Sequence, residues 1–259
     1  HQLQSQSSVQ AEKVVAALKK MGIEKTHVIK VDVDITDGLE ASARRARYAA
    51  LDSCAEQTGA TSVFLGHTRD DQSESVLLGL ARGSGARSLS AMAMRNGKYV
   101  RPLLAITREE TLGACAEAQL DPWDDPHNAD KTFTRVRVRH DVIPNLEKNL
   151  GPGISAALAR TASLLRDDAD ALDQLAEQEF AAHDALSLDI SRLEKLPKAI
   201  RTRVLRMAVY AAGAPAGSLS ADHIAPIEAL ITEWSGQGPS DLPGGVRVSR
   251  ISGRLSLSR

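Results

Sequence analysis

The chain has 259 residues, of which 42% are hydrophobic, so it is long enough to bury the core of one large or two modest domains. Its 32 Lys and Arg residues nearly balance its 33 Asp and Glu residues, and the formal charge of −1 excludes a global basic field that would attract nucleic acid. The cysteines, Cys54 and Cys115, lie far apart in sequence, which excludes a C-x-x-C redox pair, a cysteine-built zinc site and a disulfide framework.

The compartment can be predicted from the same features. Two distant cysteines are typical of a protein in a reducing cytosol. The sequence holds no apolar run that approaches a membrane span of about 18 residues. Its first residues have neither the basic region nor the apolar core of a signal peptide. We therefore expect a cytoplasmic protein without a membrane partner.

In the first 120 residues, short β-like runs alternate with longer amphipathic patterns. This alternation predicts an α/β domain with a Rossmann-like parallel sheet and helices on both faces. Gly22 and Gly59 are predicted to end the first two helices, and Thr107 with Glu110 to cap the last. The predicted helices lie at about 7–21, 39–58, 70–80 and 107–119, and the predicted strands at 28–33, 62–66 and around 99–100.

The second half has a different pattern. Residues 121–130, rich in Pro, Asp, Asn and His, are predicted to form a loop or hinge, and a domain boundary is expected near 145–153. Helices are predicted at 154–180, 196–212 and 221–234, followed by a hairpin of 246–251 and 254–257 that turns at Gly253. We therefore expect a second, smaller and mainly α-helical domain.

Charged residues follow the predicted strand 62–66 directly. His67, Asp71 and Glu74 come just past its carboxyl end, at the edge where ligands bind in open α/β sheets. Asp71 and Glu74 are three positions apart, so on one helix face they could share a Mg²⁺ ion together with phosphate oxygens. The alternative is that Asp70 and Asp71 only cap the helix and that Glu74 is solvated.

Arginines mark two further candidate anion sites. Arg44 and Arg47 lie one helical turn apart and suit phosphate oxygens, although a salt-bridged surface helix would also explain them. Arg82 precedes Gly83-Ser84-Gly85, where the glycines let the backbone approach a ligand and the arginine could neutralise phosphate charge. A plain helix C-cap is the alternative there.

Three arginines, at 135, 137 and 139, alternate with valines. This period of two predicts an extended segment with the arginines on one face, which suits an RNA backbone or a nucleotide phosphate. An edge strand with its charges in water explains the row nearly as well. A further basic stripe is predicted to be a solvated helix face. It consists of Arg192, Lys195, Lys198, Arg201, Arg203 and Arg206.

Taken in order, the motifs resemble the tRNA(Ile)-lysidine synthetase family. The segments that carry the resemblance are E-A-S-A-R-R-A-R-Y (40–48), L-G-H-T-R-D-D-Q-S-E-S-V-L-L-G-L-A-R-G-S-G (65–85), R-P-L-L (101–104), W-D-D-P-H-N-A-D (123–130) and R-V-R-V-R (135–139). The opening H-Q-L-Q-S-Q-S and the segment W-S-G-Q-G-P-S-D-L-P-G-G-V (234–246) extend it over nearly the whole chain.

The resemblance implies an N-type ATP pyrophosphatase domain of the PP-loop superfamily at 1–145 and a mainly helical tRNA-contacting domain at 146–259. It implies that ATP and Mg²⁺ are used to join free lysine to carbon 2 of the wobble cytidine of a CAU-anticodon tRNA(Ile). The reaction so implied would pass through an adenylated intermediate, release pyrophosphate and then AMP, and give lysidine. A second copy of the chain could complete a homodimer.

Carried over residue by residue, the resemblance also implies roles for individual side chains. The implied catalytic residues are Asp71, Glu74 and Arg82, of which Asp71 and Glu74 would also be the metal ligands. The implied nucleotide-binding residues are His67, Thr68, Arg44, Gly83 and Gly85. The implied tRNA-binding residues are Arg47, Arg135, Arg137 and Arg139.

The sequence departs from the family pattern in two places. The pyrophosphate-binding loop S-G-G-x-D-S is absent, and we expect a missing N-terminal segment rather than an enzyme without the loop, since the sheet would otherwise lose its central strand. Val136 stands where the family reads R-N-R. Two alternatives stay open. One is a tRNA cytidine thiolase, against which the distant cysteines argue; the other is a non-catalytic tRNA-binding remnant.

Overall fold

A computed structural model describes residues 7–35, 38–83 and 85–259. The chain divides into two compact units, His1–Ala162 and Ser163–Arg259. The motif at 1–7 falls almost wholly outside the described residues, as does Ser84. Within the described part, none of the helices is long and apolar enough to cross a membrane.

The first unit combines helices with a small sheet. Its helices are α1 (Ser7–Lys20), α2 (Leu39–Thr58), α3 (Arg69–Ala81), α4 (Ala86–Leu89), α5 (Arg108–Glu117), α6 (Thr134–Arg137), α7 (Ile143–Leu150) and the start of α8 (Ile154–Phe180). Its strands are β1 (Val63–Phe64), β2 (Arg95–Asn96) and β3 (Tyr99–Val100). Strand β3 lies between the other two, parallel to β1 and antiparallel to β2. The mixed α/β class is therefore confirmed.

The predicted helices of this unit are confirmed because their end signals act locally. Gly59 adopts a left-handed conformation (φ 69°) that lets its N–H reach the last carbonyls of α2. Thr107 and Glu110 form the predicted capping box, in which Glu110 N donates to Thr107 Oγ1 at 3.0 Å and Thr107 N donates to Glu110 Oε2 at 2.7 Å.

Two predictions for this unit are wrong. Residues 28–33 are not a strand, and Val28 is 65% exposed, because no described strand lies beside them to complete the backbone hydrogen bonds. The arginine row at 135–139 is not extended either: α6, a π-helical turn (Val138–Val142) and α7 follow one another as helix. The arginine row therefore has helical periodicity, which places Arg135 and Arg139, four positions apart, on one side.

The second unit packs helices on a four-stranded antiparallel sheet. Its strands are β4 (Ser187–Asp189), β5 (Ser240–Leu242), β6 (Val246–Ile251) and β7 (Arg254–Ser258), in the order β4-β7-β6-β5. Its helices are the rest of α8 with α9 (Ile190–Leu193), α10 (Lys198–Ala211) and α11 (Ala221–Thr232). The predicted helices and the hairpin turning at Gly253 are confirmed, whereas β4 and β5 were not predicted. Leu188, Val204, Ile227, Val246 and Leu255 lie in the core.

The basic stripe of this unit is a solvated face only in its first half: Arg192, Lys195 and Lys198 are exposed, whereas the arginines that follow are not. Arg201 is buried, and its Nη2 donates to Glu228 Oε1 at 2.8 Å. Arg203 Nε donates to Asp173 Oδ1 at 2.6 Å. Burial raises the pKa of Glu228, but the hydrogen bonds from Arg201 and Lys198 outweigh it and hold the pKa below its usual value. These arginines therefore hold the helices together.

Candidate active site

A cleft of about 460 Å³ lies at the carboxyl end of β1. Helix α2 contributes Arg44 and Arg47 to its wall, and the segment between β1 and α3 contributes His67. Helix α3 contributes Asp71 from its first turn, and the helical segment that replaces the predicted extended row contributes Arg135 and Arg139. The position of the cleft agrees with the rule that ligands bind at this edge of an α/β sheet.

Glu74 is the buried centre of the charge network beneath this cleft. Its side chain is 0% exposed, and both of its oxygens accept hydrogen bonds from arginine. Arg139 Nε donates to Oε1 at 2.6 Å and Arg139 Nη2 donates to Oε2 at 3.1 Å. Arg135 Nη1 donates to Oε2 at a longer 3.4 Å. A buried carboxylate needs such partners, so Glu74 fixes the positions of both guanidinium groups.

Asp71 lies one turn before Glu74 and has two different functions in the structure. Its Oδ2 accepts from the backbone N–H of Thr68 at 2.8 Å and from the Thr68 hydroxyl at 3.2 Å, which caps the start of α3. Its Oδ1 is 3.4 Å from Arg139 Nη2, and its side chain is 15% exposed at the cleft. Asp71 is therefore both the cap of α3 and a carboxylate at the cleft, and its role as a metal ligand stays a prediction.

This arrangement decides how well the acidic pair fits a metal ion. In the described ranges, no group of three or more His, Cys, Asp or Glu side chains is placed to hold a metal. A cation would have to displace arginine to reach Glu74, whose oxygens are both engaged. Mg²⁺ is commonly held by one or two carboxylates together with phosphate oxygens. The residues present therefore fit Mg²⁺ on Asp71 and a phosphate better than Mg²⁺ on both carboxylates.

Tyr48 supports the two arginines that helix α2 contributes to the cleft. The Arg44 guanidinium lies 4.9 Å from the centre of the Tyr48 ring and the Arg47 guanidinium 5.9 Å, both within the range of a cation–π interaction. The Tyr48 hydroxyl also accepts from Arg44 Nη2 at 3.3 Å and from Arg101 Nη2 at 3.5 Å. Arg101 is only 5% exposed, and the segment R-P-L-L that it begins predicts no role for the arginine.

The surroundings of His67 favour its neutral form. Burial lowers its pKa; the Asp71 carboxylate opposes this, and the positive charges of Arg101, Arg44 and Arg47 lower the pKa further. Its Nδ1 is buried and has no hydrogen-bond partner among the described residues. A neutral imidazole beside a cluster of guanidinium groups leaves the positive charge of the cleft to the arginines.

We expect replacement of His67 by glutamine to remove part of the acid sensitivity of the fold. The pKa of His67 is lower in the folded protein than in the unfolded chain, so the unfolded chain binds the proton first as the pH falls. The contribution of neutral His67 to the free energy of unfolding is therefore complete above about pH 6.5 and is lost below it. Urea denaturation of both proteins at several pH values between 8 and 5 measures this, with exposed His27→Gln as the control. If the free energies of unfolding of wild type and His67→Gln differ by the same amount at every pH, the lowered pKa of His67 is contradicted.

Other predicted site residues lie elsewhere. Arg82 and Gly83 come directly after α3, so the backbone of Arg82 is about 16 Å along the helix from that of Asp71. They do not join the cleft, and neither does Gly85. Arg137 is exposed and its Nη1 donates to the carbonyls of Lys131 and Thr132 at 2.7 and 2.8 Å.

The cleft is also lined by residues to which the sequence analysis assigned no role. These are Ala43, Met92, Arg108, His127, Asn128, Phe133 and Val136. His127 and Asn128 belong to the quoted segment W-D-D-P-H-N-A-D, so that motif was the available signal.

Comparisons with known proteins match both units. The PP-loop domain family matches residues 1–146, and the TilS substrate binding domain family matches residues 188–256. The tRNA(Ile)-lysidine synthase of Thermobifida fusca is 51% identical over 260 residues, which cover 100% of this chain and 80% of that protein. The tRNA(Ile)-lysidine synthase of Streptomyces coelicolor is 53% identical over 262 residues, which cover 99% of this chain and 74% of that protein.

A solved structure also matches, at lower similarity. The U34-tRNA thiolase NcsA from Methanococcus maripaludis, with its 4Fe–4S cluster, aligns with a TM-score of 0.48 and 20% identity. The alignment covers 62% of this chain and 56% of that chain.

Proposed function

This chain belongs to the tRNA(Ile)-lysidine synthase family, and from this membership we propose how its residues perform the family's reaction. It is a ligase that uses ATP to join lysine to carbon 2 of the wobble cytidine of tRNA(Ile), through an adenylated intermediate, and gives lysidine. The resemblance stated from the sequence motifs is thereby confirmed.

We propose that the two domains have the separate functions that the family resemblance implies. Residues 1–145 form the adenylation domain and residues 146–259 the tRNA-contacting domain, in accord with the places where the two family matches fall. The partners are tRNA(Ile) with a CAU anticodon and free L-lysine, and the site of action is the cytoplasm. A homodimer is a further proposal, which analytical ultracentrifugation would test.

The single observation that carries the site assignment is the meeting of Asp71 and several arginines in one cleft. Activation of a base by ATP needs cations around the triphosphate and a group that positions a metal ion. We assign Asp71 to Mg²⁺, and Arg44 with Arg47 to phosphate groups of ATP or tRNA. Mg²⁺, when bound, supplies charge neutralisation at the reacting phosphate.

The remaining predicted residues support this arrangement. Glu74 positions Arg135 and Arg139 at the cleft, while Thr68, which is buried, positions Asp71. His67 borders the nucleotide as a neutral side chain. For Arg137 and the segment after α3 that contains Arg82, Gly83 and Gly85, we propose contact with tRNA, since none of these residues lines the cleft.

The two alternatives, a tRNA cytidine thiolase and a non-catalytic tRNA-binding remnant, differ from this proposal in testable ways. Neither Cys54 nor Cys115 lines the cleft, so the described residues offer no thiol for sulfur transfer there. A non-catalytic remnant would bind tRNA without consuming ATP.

The experiment that tests the function is ATP-dependent incorporation of labelled lysine into CAU-anticodon tRNA(Ile). It uses the protein that carries these residues, with ATP omitted in one control and initiator or elongator tRNA(Met) replacing tRNA(Ile) in another. We expect labelled tRNA(Ile) only when ATP is present. Binding of tRNA without incorporation would support the remnant, and incorporation of sulfur instead of lysine would support a thiolase.

A further inference from the structure

A second cleft, of about 580 Å³, runs along another face of helix α3. Ser75, Leu78 and Arg82 contribute to it, and these positions follow one another at helical spacing over about 10 Å of helix length. Residues Met92 and Arg135 line this cleft and also the cleft that contains Asp71. The two clefts are therefore neighbours that share part of one wall.

The second cleft has donors and positive charge but no carboxylate. Its lining residues include Arg82, Arg135 and the hydroxyl-bearing Ser75, Ser88 and Thr134, and none of its lining residues is Asp or Glu. Arg82 is exposed, and its guanidinium has no hydrogen bond or ion pair with any other described residue. Arg135 is 33% exposed and is held only by long contacts, 3.4 Å to Glu74 Oε2 and 3.5 Å to Ser75 Oγ. Both guanidinium groups can therefore take a further anionic partner.

We propose that this second cleft binds backbone phosphates of the tRNA strand next to the nucleotide that enters the Asp71 cleft. The inference rests on the proposed function and adds the path of the substrate strand. Arginine and hydroxyl groups are common phosphate ligands in nucleic-acid complexes. Lysine, the other substrate, is disfavoured here because it carries two ammonium groups and one carboxylate, and no acidic side chain lines the cleft to offset the two arginines.

Because the two clefts share part of one wall, a single tRNA strand can occupy both. Arg135 takes part in both, so a strand that places its target base beside Asp71 can continue past Arg135 toward Arg82. Contacts to phosphates fix the register of a nucleic acid, whereas the base itself is recognised by other groups. The second cleft would therefore position the anticodon without reading its sequence.

The test measures binding of a CAU-anticodon stem-loop RNA to Arg82→Gln at several salt concentrations. We expect roughly five-fold weaker binding and a salt-dependence slope smaller by about one, as for the loss of one phosphate contact. The matched control is Arg95→Gln, which removes an exposed arginine of the same unit that lines neither cleft, and binding by this variant should not change.

Two outcomes would overturn the inference. One is an unchanged affinity and salt slope in Arg82→Gln. The other is a raised KM for lysine with unchanged RNA affinity, which would assign the cleft to the lysine carboxylate. The lysine KM comes from the incorporation assay, whereas the RNA-binding measurement needs no turnover and remains valid if the wild-type protein binds tRNA but forms no lysidine. Failure of the second cleft and failure of the proposed function are therefore distinguishable.

Discussion

Replacement of Glu74 by glutamine is expected to lower the free energy of unfolding by about 3 kcal/mol, the lower part of the range for breaking a buried ion pair. Glu74 has no exposed surface and pairs with Arg139 and Arg135, so its loss removes the countercharge of Arg135 and leaves Arg139 with only its longer, 3.4 Å contact to Asp71. The lower part of the range applies because the two arginines keep some exposure to solvent. Urea denaturation followed by circular dichroism measures the change.

The control is Glu109→Gln, which removes an exposed carboxylate from helix α5 and should change stability by less than about 0.5 kcal/mol. A second variant, Glu74→Gln with Arg139→Gln, tests the pairing itself, since removal of both partners should cost less than the sum of the two single changes. Equal stability of Glu74→Gln and Glu109→Gln would show that Glu74 is not the buried anchor of the arginines.

The elements that were predicted correctly depend on neighbouring residues in the sequence. The left-handed Gly59 and the Thr107–Glu110 capping box set the ends of α2 and α5 from within one turn of each helix. A strand has no such local support. Residues 28–33 have an apolar β-like composition but pair with no described strand, while β2 has a polar sequence and still pairs with β3. Strand formation therefore depended on partners that the local pattern does not specify.

The location of the site was predictable, but its charge pairing was not. Topology alone places His67 and Asp71 at the carboxyl end of a strand. The row R-V-R-V-R fits a period of two, yet the same spacing also puts Arg135 and Arg139 four residues apart on a helix. What favours the helix is Glu74, which lies more than 60 positions away in sequence and is fully buried against both arginines. Burial of one carboxylate by distant partners leaves no periodic signal in the sequence.

Replacement of Asp71 by asparagine is expected to lower lysidine formation by about two to three orders of magnitude, the scale seen when one group that stabilises transition-state charge is removed. The side chain keeps its size, and its amide oxygen can still accept the Thr68 N–H that caps α3. What is lost is the negative charge at the cleft, to which we assign Mg²⁺. Lysine incorporation and tRNA-dependent ATP–pyrophosphate exchange measure the effect.

The double function of Asp71 determines how this result must be controlled. The control is Asp70→Asn, which removes a carboxylate that does not line the cleft and whose Oδ2 accepts from Arg108 N at 2.8 Å. We expect this variant to lower lysidine formation by less than tenfold. The affinity of Asp71→Asn for tRNA should stay close to that of the wild type, because Arg82 and Arg137 are untouched. Normal turnover in Asp71→Asn would remove Asp71 from the reaction. A parallel loss of turnover, tRNA affinity and thermal stability would instead mean that Asp71 acts only as the cap of α3. A carboxylate that acts in the cleft would affect the reaction without unfolding the helix that carries it.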